Sequence, residues 1–408
     1  MTANVINHHA TTTSHRMGCM EPCAKFKQPF TTPVISITSR KFRTFDTISS
    51  LGDTHAMRPA IANINIENLR HNYRLLSNRA GPAKIMAVVK ANAYGHGLAL
   101  VSSTLFDEGC RHFSVTDANE GMELRELLPE AESIVLLSGI FDADDAQLAC
   151  NHTLTPTITN SHQLKLLHAA GFGGSVWIKI NTGMQRLGAD NPDQLMDQCR
   201  ANSINVAGIM SHLACADTPE HPLNRAQAEE FSTLCQQLDP ELPTSLLNSA
   251  GLVALPDQTH DFIRPGLALY GAEPVATEPL GVRPVMQLTG QVMHVREIAK
   301  GVRLSYGASF TAPDDMKIAV VSLGYGDGLP RILSNCGHVF ARDKFLPIVG
   351  RICMDYCLID CTMNILKPGD MVEFWGNRLT ASTVSDLAGT IPYELFTGVG
   401  NRVCRRAI

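Results

Sequence analysis

From about residue 58 onward the chain alternates short apolar, β-rich runs with helical patterns, and that alternation constrains its fold more than any other feature. The runs are Ile61–Ile66, Ile85–Val89, His112–Val115, Ile134–Ser138, Leu154–Ile158, Val176–Ile180, Val206–Met210, Ser245–Leu247 and Phe262–Ile263. Between them, segments such as Leu69–Leu76 and Ala226–Leu238 carry the apolar spacing of amphipathic helices. Leaving out Ile61–Ile66, eight runs remain, each followed by a helix. That is the pattern of an α/β protein built as a (β/α)8 TIM-like barrel. A doubly wound open sheet is the alternative, but no GxGxxG follows the first run. After Gly281 the character changes. Val285–Val295, Ile318–Leu323 and Met371–Trp375 read as strands between Gly, Pro and Asp turns, and a helical pattern returns only at Thr383–Ala388. The expected division is a barrel over 57–281 and a smaller, mostly-β C-terminal domain over 282–408.

A length of 408 residues accommodates both units. Hydrophobic content of 44% with 18% charged residues describes an ordinary globular chain. The net charge of -5, with Arg402–Arg406 as the only basic cluster, argues against nucleic acid as the main partner. No run of 18 apolar residues exists, so no membrane span is expected. The twelve cysteines are scattered, as in a reducing compartment, and a cytoplasmic location is expected. Cys353, Cys357 and Cys361 recur every four residues in a strand-like run, Val349 to Cys361, but no histidine completes a zinc pattern. They read as small buried residues, and no metal is expected. Residues 1–56 are rich in Thr, Ser and His and poor in acids, and they lack the apolar core of a signal peptide. A disordered extension is expected there.

The candidate chemistry lies just after the strands, on the face where such barrels carry their sites. Ile85–Val89 ends in Lys90, followed by Ala91-Asn92-Ala93-Tyr94-Gly95-His96-Gly97. A lysine there is either a solvated strand end or a partly desolvated amine with a lowered pKa, nucleophilic toward carbonyls. Further on come Asn181-Thr182-Gly183-Met184-Gln185-Arg186, Ser211-His212-Leu213-Ala214, Asn248-Ser249-Ala250-Gly251 and Arg264-Pro265-Gly266-Leu267. In the β domain stand Ser305-Tyr306-Gly307 and Gly350-Arg351-Ile352-Cys353-Met354-Asp355. Taken singly, each has a structural reading: His212 a hydrogen-bonded core histidine, Arg264-Pro265-Gly266 a turn, Tyr306 a strand residue.

Together, in this order, these words resemble the alanine racemases over residues 57–406. The resemblance implies pyridoxal 5'-phosphate (PLP) held by Lys90 as a Schiff base, and L- and D-alanine as substrates. Tyr94, Ser249 and the amides of Gly266 and Leu267 would hold the phosphate, with Asn248 beside them. His212 would stack on the pyridine ring and Arg264 would donate to its nitrogen. Arginine has no acceptor, so that nitrogen would stay unprotonated and transamination would be disfavoured. Racemisation needs a proton catalyst on each face. Lys90 would serve one and Tyr306 of a second subunit the other, implying a homodimer with shared sites. Arg186 would touch the cofactor phenolic oxygen and the substrate carboxylate, and Met354 and Asp355 would reach the substrate region across the interface. Lys179 matches a lysine often carbamylated in the family. The product would feed the cell wall, or the D form would be catabolised. Met57-Arg58-Pro59-Ala60 looks like the family N-terminus, so Met1 is a candidate misassigned start.

The match departs at several points. The family's Tyr-Arg-Val-Pro-Arg reads Asn401-Arg402-Val403-Cys404-Arg405 here. The missing tyrosine would leave room and a hydrogen-bond partner for a hydroxymethyl group, which makes serine or a broader set of small amino acids the alternative substrates. Gln185, Asn181 and Leu213 stand where glycine, aspartate and phenylalanine are frequent. A non-catalytic PLP carrier is a further alternative, but such proteins lack the β domain that holds Tyr306. A basic amino-acid decarboxylase would place an acid where Arg264 stands.

Overall fold

The computed structural model describes residues 59–408; residues 1–56, where an extension is expected, lie outside that range. Nine strands open the chain: β1 Ala60–Ile64, β2 Lys84–Val88, β3 His112–Val115, β4 Ser133–Leu136, β5 Thr155–Ile158, β6 Ser175–Lys179, β7 Asn205–Met210, β8 Thr244–Asn248 and β9 Phe262–Arg264. Strands β2 to β9 pair in parallel and close into an eight-stranded barrel. Asp or Asn caps start many of the helices between them. Asp117 accepts from the Asn119 and Glu120 N–H groups, and Asp142, Asn160 and Asn191 do the same for the helices they precede. These caps satisfy first-turn donors that have no partner within the helix.

The barrel interior is plugged by Met86, Val135, Trp177, Met210 and Phe262, a core separate from the outer one. Trp177 meets Phe262 edge to face, with centroids 5.6 Å apart. Gly208 carries no side chain because a Cβ there would lie 2.5 Å from the Trp177 ring. The interior is therefore packed, and open space is left to the loops that follow the strands.

The first strand does not join the barrel. It pairs antiparallel with β10, Met286–Ile298, and parallel with Cys404–Ala407. Residues 60–64 thus belong to the sheet of the C-terminal strands. Strand β10 is the spine of that sheet: Met371–Trp375 lies against its first half and Met316–Val321 against its second. The stretch from Val349 to Cys361 is not one strand. Only Cys357–Asp360 is extended, and Cys353 sits in the loop before it. The helix after β1, Ile66–Ala80, ties the barrel to the start of β10 through Asn72. Its amide donates to the carbonyls of Leu269 (3.1 Å) and Arg283 (2.8 Å), and its oxygen accepts from the Arg283 N–H (2.8 Å).

Asn72 is fully buried. Removing its side chain takes this partner from three backbone groups, one of them, the Leu269 carbonyl, in a buried bond. Asn72→Ala is expected to lower unfolding stability by about 3 kcal/mol, measured by urea titration.

Candidate active site

Strand β2 ends at Val88, and the chain then turns left-handed. Ala91, Asn92 and Ala93 all have φ and ψ near +50°, and Tyr94 has φ of 52°. For residues with a Cβ this conformation costs about 1–2 kcal/mol each, so the surroundings must hold it. The Glu120 carboxylate accepts from the N–H of Ala91 (2.7 Å) and of Thr116 (2.8 Å). Asn92 Oδ1 accepts from Leu98 N–H at 2.7 Å, which starts the next helix. The Tyr94 ring is buried between Tyr270 (centroids 4.8 Å apart) and Tyr393 (5.7 Å). This turn presents Lys90 and Tyr94 together to a cavity of about 380 Å³.

The cavity lies among the loops after β2, β6, β7, β8 and β9. Lys90, Tyr94, Arg186, His212, Asn248, Ser249, Arg264, Gly266 and Leu267 all line it. Asn248 Oδ1 accepts from Gly251 N–H at 2.8 Å and so shapes the turn that presents Ser249. Ser249 Oγ accepts from the N–H groups of Gly266 (3.0 Å) and Ala268 (3.2 Å), which leaves its hydroxyl proton free to donate. Leu267 heads a 3-10 turn, where the first N–H groups have no partner within the turn. Position 266 tolerates only glycine, because a Cβ would lie 2.6 Å from Tyr94 Oη.

Arg264 is buried under the cavity floor. Its guanidinium donates to Ser245 Oγ (2.5 Å), to the Leu246 carbonyl (3.1 Å) and to the Ser211 carbonyl. It also reaches His212 Nδ1 at 3.4 Å. Arginine can only donate, so His212 Nδ1 carries the lone pair and the ring is neutral. Burial together with the nearby Arg264 cation holds the His212 pKa well below its ordinary value. Lys179, 7% exposed at the end of β6, has its pKa lowered to about 8 by burial and by Arg264, Arg186 and Lys90. Burial and Arg186 also lower Lys90, while Glu120 raises it. Among the described residues lining the cavity, none is a carboxylate. The site therefore combines an amine of lowered basicity, a rigid buried cation and clustered hydroxyl and amide donors, an arrangement suited to an anionic group with an acceptor-bearing ring.

Tyr306, Met354 and Asp355 are not brought to this cavity. Tyr306 lies in a 3-10 turn and is 69% exposed, and Met354 is 52% exposed. Asp355 pairs with Arg402 at 2.8 Å, and Arg402 also holds the buried Asp327 at 2.7 Å. Asn401 requires a correction. It sits on an exposed turn and does not line the cavity, so its shortness opens no room beside Lys90 of its own chain. The tyrosine that fills that place is Tyr393, on the helix Pro392–Gly398, with Thr397 one turn further on. Burial pushes the Tyr393 hydroxyl up to about 12. Both residues, and Glu120, are absent from the sequence reading of the site. The available signal for Tyr393 was Pro392, a proline suited to the first turn of a helix.

The family model for the alanine racemase N-terminal domain matches residues 64–274, and that for the C-terminal domain matches residues 285–407. The chain belongs to the alanine racemase family. The alanine racemase of Aeromonas hydrophila is 37% identical over 358 residues, covering 85% of this chain and 99% of the relative. Among alanine racemase structures, the biosynthetic enzyme of Pseudomonas aeruginosa aligns with a TM-score of 0.81 at 36% identity. The alignment covers 86% of this chain and all (100%) of that one. That of Bartonella henselae, with covalently bound pyridoxal phosphate, aligns at 0.80 and 34% identity over 86% of this chain and 99% of that one. Family membership bears out the barrel, its β companion and the racemase resemblance read from the motif words. Among the described residues no helix is long and apolar enough to cross a membrane.

The His212 geometry has a measurable consequence. The unfolded ring binds a proton near its ordinary value of 6.5 and the folded ring does not. This site therefore withdraws stability as pH falls through that value, and withdraws none above it. Nitrogen NMR of labelled histidine is expected to show buried His96 and His212 both neutral from about pH 8 down to about pH 5, with the His212 signal lost in His212→Asn.

Proposed function

We propose that this chain interconverts L- and D-alanine with pyridoxal 5'-phosphate bound in the Lys90 cavity. The observation that carries the reading is the lining itself: three cations, Lys90, Arg186 and Arg264, and no carboxylate. The group fits the residues present. The Ser249 hydroxyl, Tyr94, Tyr393 and the Leu267 amide would form a cradle for a phosphate, joined by the Gly266 amide once it turns from Ser249 Oγ, and glycine at 266 keeps that cradle open. The Lys90 amine, with its lowered pKa, reaches the neutral form that attaches to a carbonyl. Bound pyridoxal phosphate supplies the electron sink that makes an amino acid's α-proton removable.

The remaining chemistry belongs to the side chains. His212 offers a neutral ring face for stacking. Arg264 would donate to the ring nitrogen of the bound group and keep its own proton, a pairing that would favour return of a proton to the α-carbon. Arg186 holds the substrate carboxylate and the phenolic oxygen. Lys90 takes or gives the α-proton on one face, and Tyr306 of the partner subunit does so on the other. In its own chain Tyr306 is exposed and remote from this cavity, which supports a homodimer with shared sites. Met354 and Asp355 of the partner subunit would complete the substrate wall. The free, partly exposed cysteines Cys336 and Cys404 suit the cytoplasm. The barrel and β domain divide near residue 281, with residues 60–64 added to the β unit.

Lys179 is the candidate for carbamylation. Its amine, buried among cations with a pKa of about 8, has a substantial neutral fraction that can add carbon dioxide and release one proton. The product exchanges a buried positive charge for a negative one in the field of Arg264 and Arg186. Carbon NMR with labelled bicarbonate is expected to show one slow-exchanging carbamate, absent in Lys179→Met.

Shared sites are tested by mixing variants. Lys90→Ala and Tyr306→Phe should each lose at least about a thousandfold in kcat for alanine. Dissociated and re-mixed in equal amounts, they should regain up to about a quarter of wild-type activity, because half the dimers then hold one intact site. No recovery would exclude a site built from two chains. Failure of the unmodified chain to form D-alanine would exclude the function.

A further inference from the structure

Two of the stretches that line the cavity lie far apart in sequence, the left-handed Lys90–Tyr94 turn and the helix Pro392–Gly398, and one side chain joins them. Arg405 Nε donates to the Gly95 carbonyl at 2.9 Å, at the end of that turn. Its Nη1 donates to Gly400 (2.7 Å) and Val403 (2.9 Å), and its Nη2 donates to Val399 (2.6 Å), just beyond the helix that carries Tyr393 and Thr397. All four acceptors are backbone carbonyls, and no carboxylate competes for the guanidinium. Contact is tight beneath it. A Cβ on Gly95 would lie 2.1 Å from the Phe396 carbonyl, and Gly95 itself has φ of 74°. His96, fully buried next door, lies tilted against Tyr270 (4.6 Å) and meets Phe396 edge-on (5.0 Å). Its Nδ1 donates to the Tyr94 carbonyl at 2.8 Å.

We infer that Arg405 is a positioning residue for the cofactor site: its guanidinium sets the Lys90–Tyr94 turn against the Tyr393 helix, and so sets how tightly the phosphate cradle closes. The inference rests on the proposed cofactor reading. Lysine cannot replace it, because a single ammonium cannot span carbonyls on both segments in the planar fork that arginine presents.

The test uses the full-length holoenzyme and two variants, Arg405→Gln and Arg405→Lys. Arg405→Lys keeps the charge and preserves the test if Arg405→Gln does not fold. Arg342→Gln, which breaks an exposed ion pair to Asp370 in the β domain, is the control. The readouts are the rate of pyridoxal phosphate release on dilution, the visible absorption of the Lys90-bound form against pH, and the thermal midpoint at saturating cofactor. Both Arg405 variants are expected to release cofactor about tenfold faster than wild type, the scale of one charged hydrogen bond lost. Their absorption titration should shift, and Arg342→Gln should change neither. Release within about twofold of wild type, with only the thermal midpoint lowered, overturns the inference and leaves Arg405 a structural tie. Failure of the wild-type chain to bind pyridoxal phosphate would instead sink the cofactor reading itself.

Discussion

A buried guanidinium without a counter-ion organises this protein's centre. Arg264 is held by a serine hydroxyl and two carbonyls, all neutral, so its charge is not cancelled where it stands. A buried charge of this kind costs several kcal/mol unless something repays it. The barrel spreads the cost across a neighbourhood. His212 is kept neutral and Lys179 loses basicity beside it, burial and Arg186 lower Lys90 in turn, and no carboxylate is among the described residues of the cavity wall. Each adjustment makes the site more receptive to an anion and to a ring nitrogen that needs a donor. Glu120 is the nearby acid, and both of its oxygens are spent on backbone N–H groups, where they secure a strained turn rather than neutralise the pocket.

That turn is the second dependency. Left-handed backbone over Ala91 to Tyr94 is unfavourable for every residue in it. It brings a lysine and a tyrosine four residues apart into one cavity immediately after a strand. The compensation is non-local. It comes from a helix after β3, from Tyr270 after β9 and from the chain's last thirty or so residues. The strain is stored at the site and offset by the fold around it.

The difference between what was legible in the sequence and what was not follows from range. Every apolar run from Ile85 to Ile263 became a barrel strand within a residue or two, because strand burial and helix amphipathicity are local patterns. The site residues that follow strands were legible for the same reason: the fold puts them on one face. Strand β1 looked like its neighbours and yet pairs in the other sheet, since pairing partners are not written in periodicity. Tyr393 escaped because its helix reaches the cavity from the C-terminal part of the chain, which no local pattern predicts. The weight placed on Asn401 came from the same blind spot: a missing tyrosine matters only where the chain delivers it, and here the chain delivers Tyr393 instead.

Two different incompletenesses therefore meet in one molecule. Within the chain, the barrel alone supplies the cations and part of the cradle, and the C-terminal segment must return to supply Tyr393 and Thr397. On the surface, Tyr306 and Met354 stand exposed and line no part of this cavity. The first gap is closed by backbone carbonyls gathered on Arg405, a strong and orientation-specific tie. The second is the gap that the proposed dimer would close. Arg402 connects the two: it grips buried Asp327 and, through Asp355, holds the loop that carries Met354. Two arginines three residues apart thus face opposite duties, one fixing the chain's own cavity and the other shaping the surface offered outward. A substitution at either arginine can consequently disturb the cavity or the outward surface without touching the cavity wall itself.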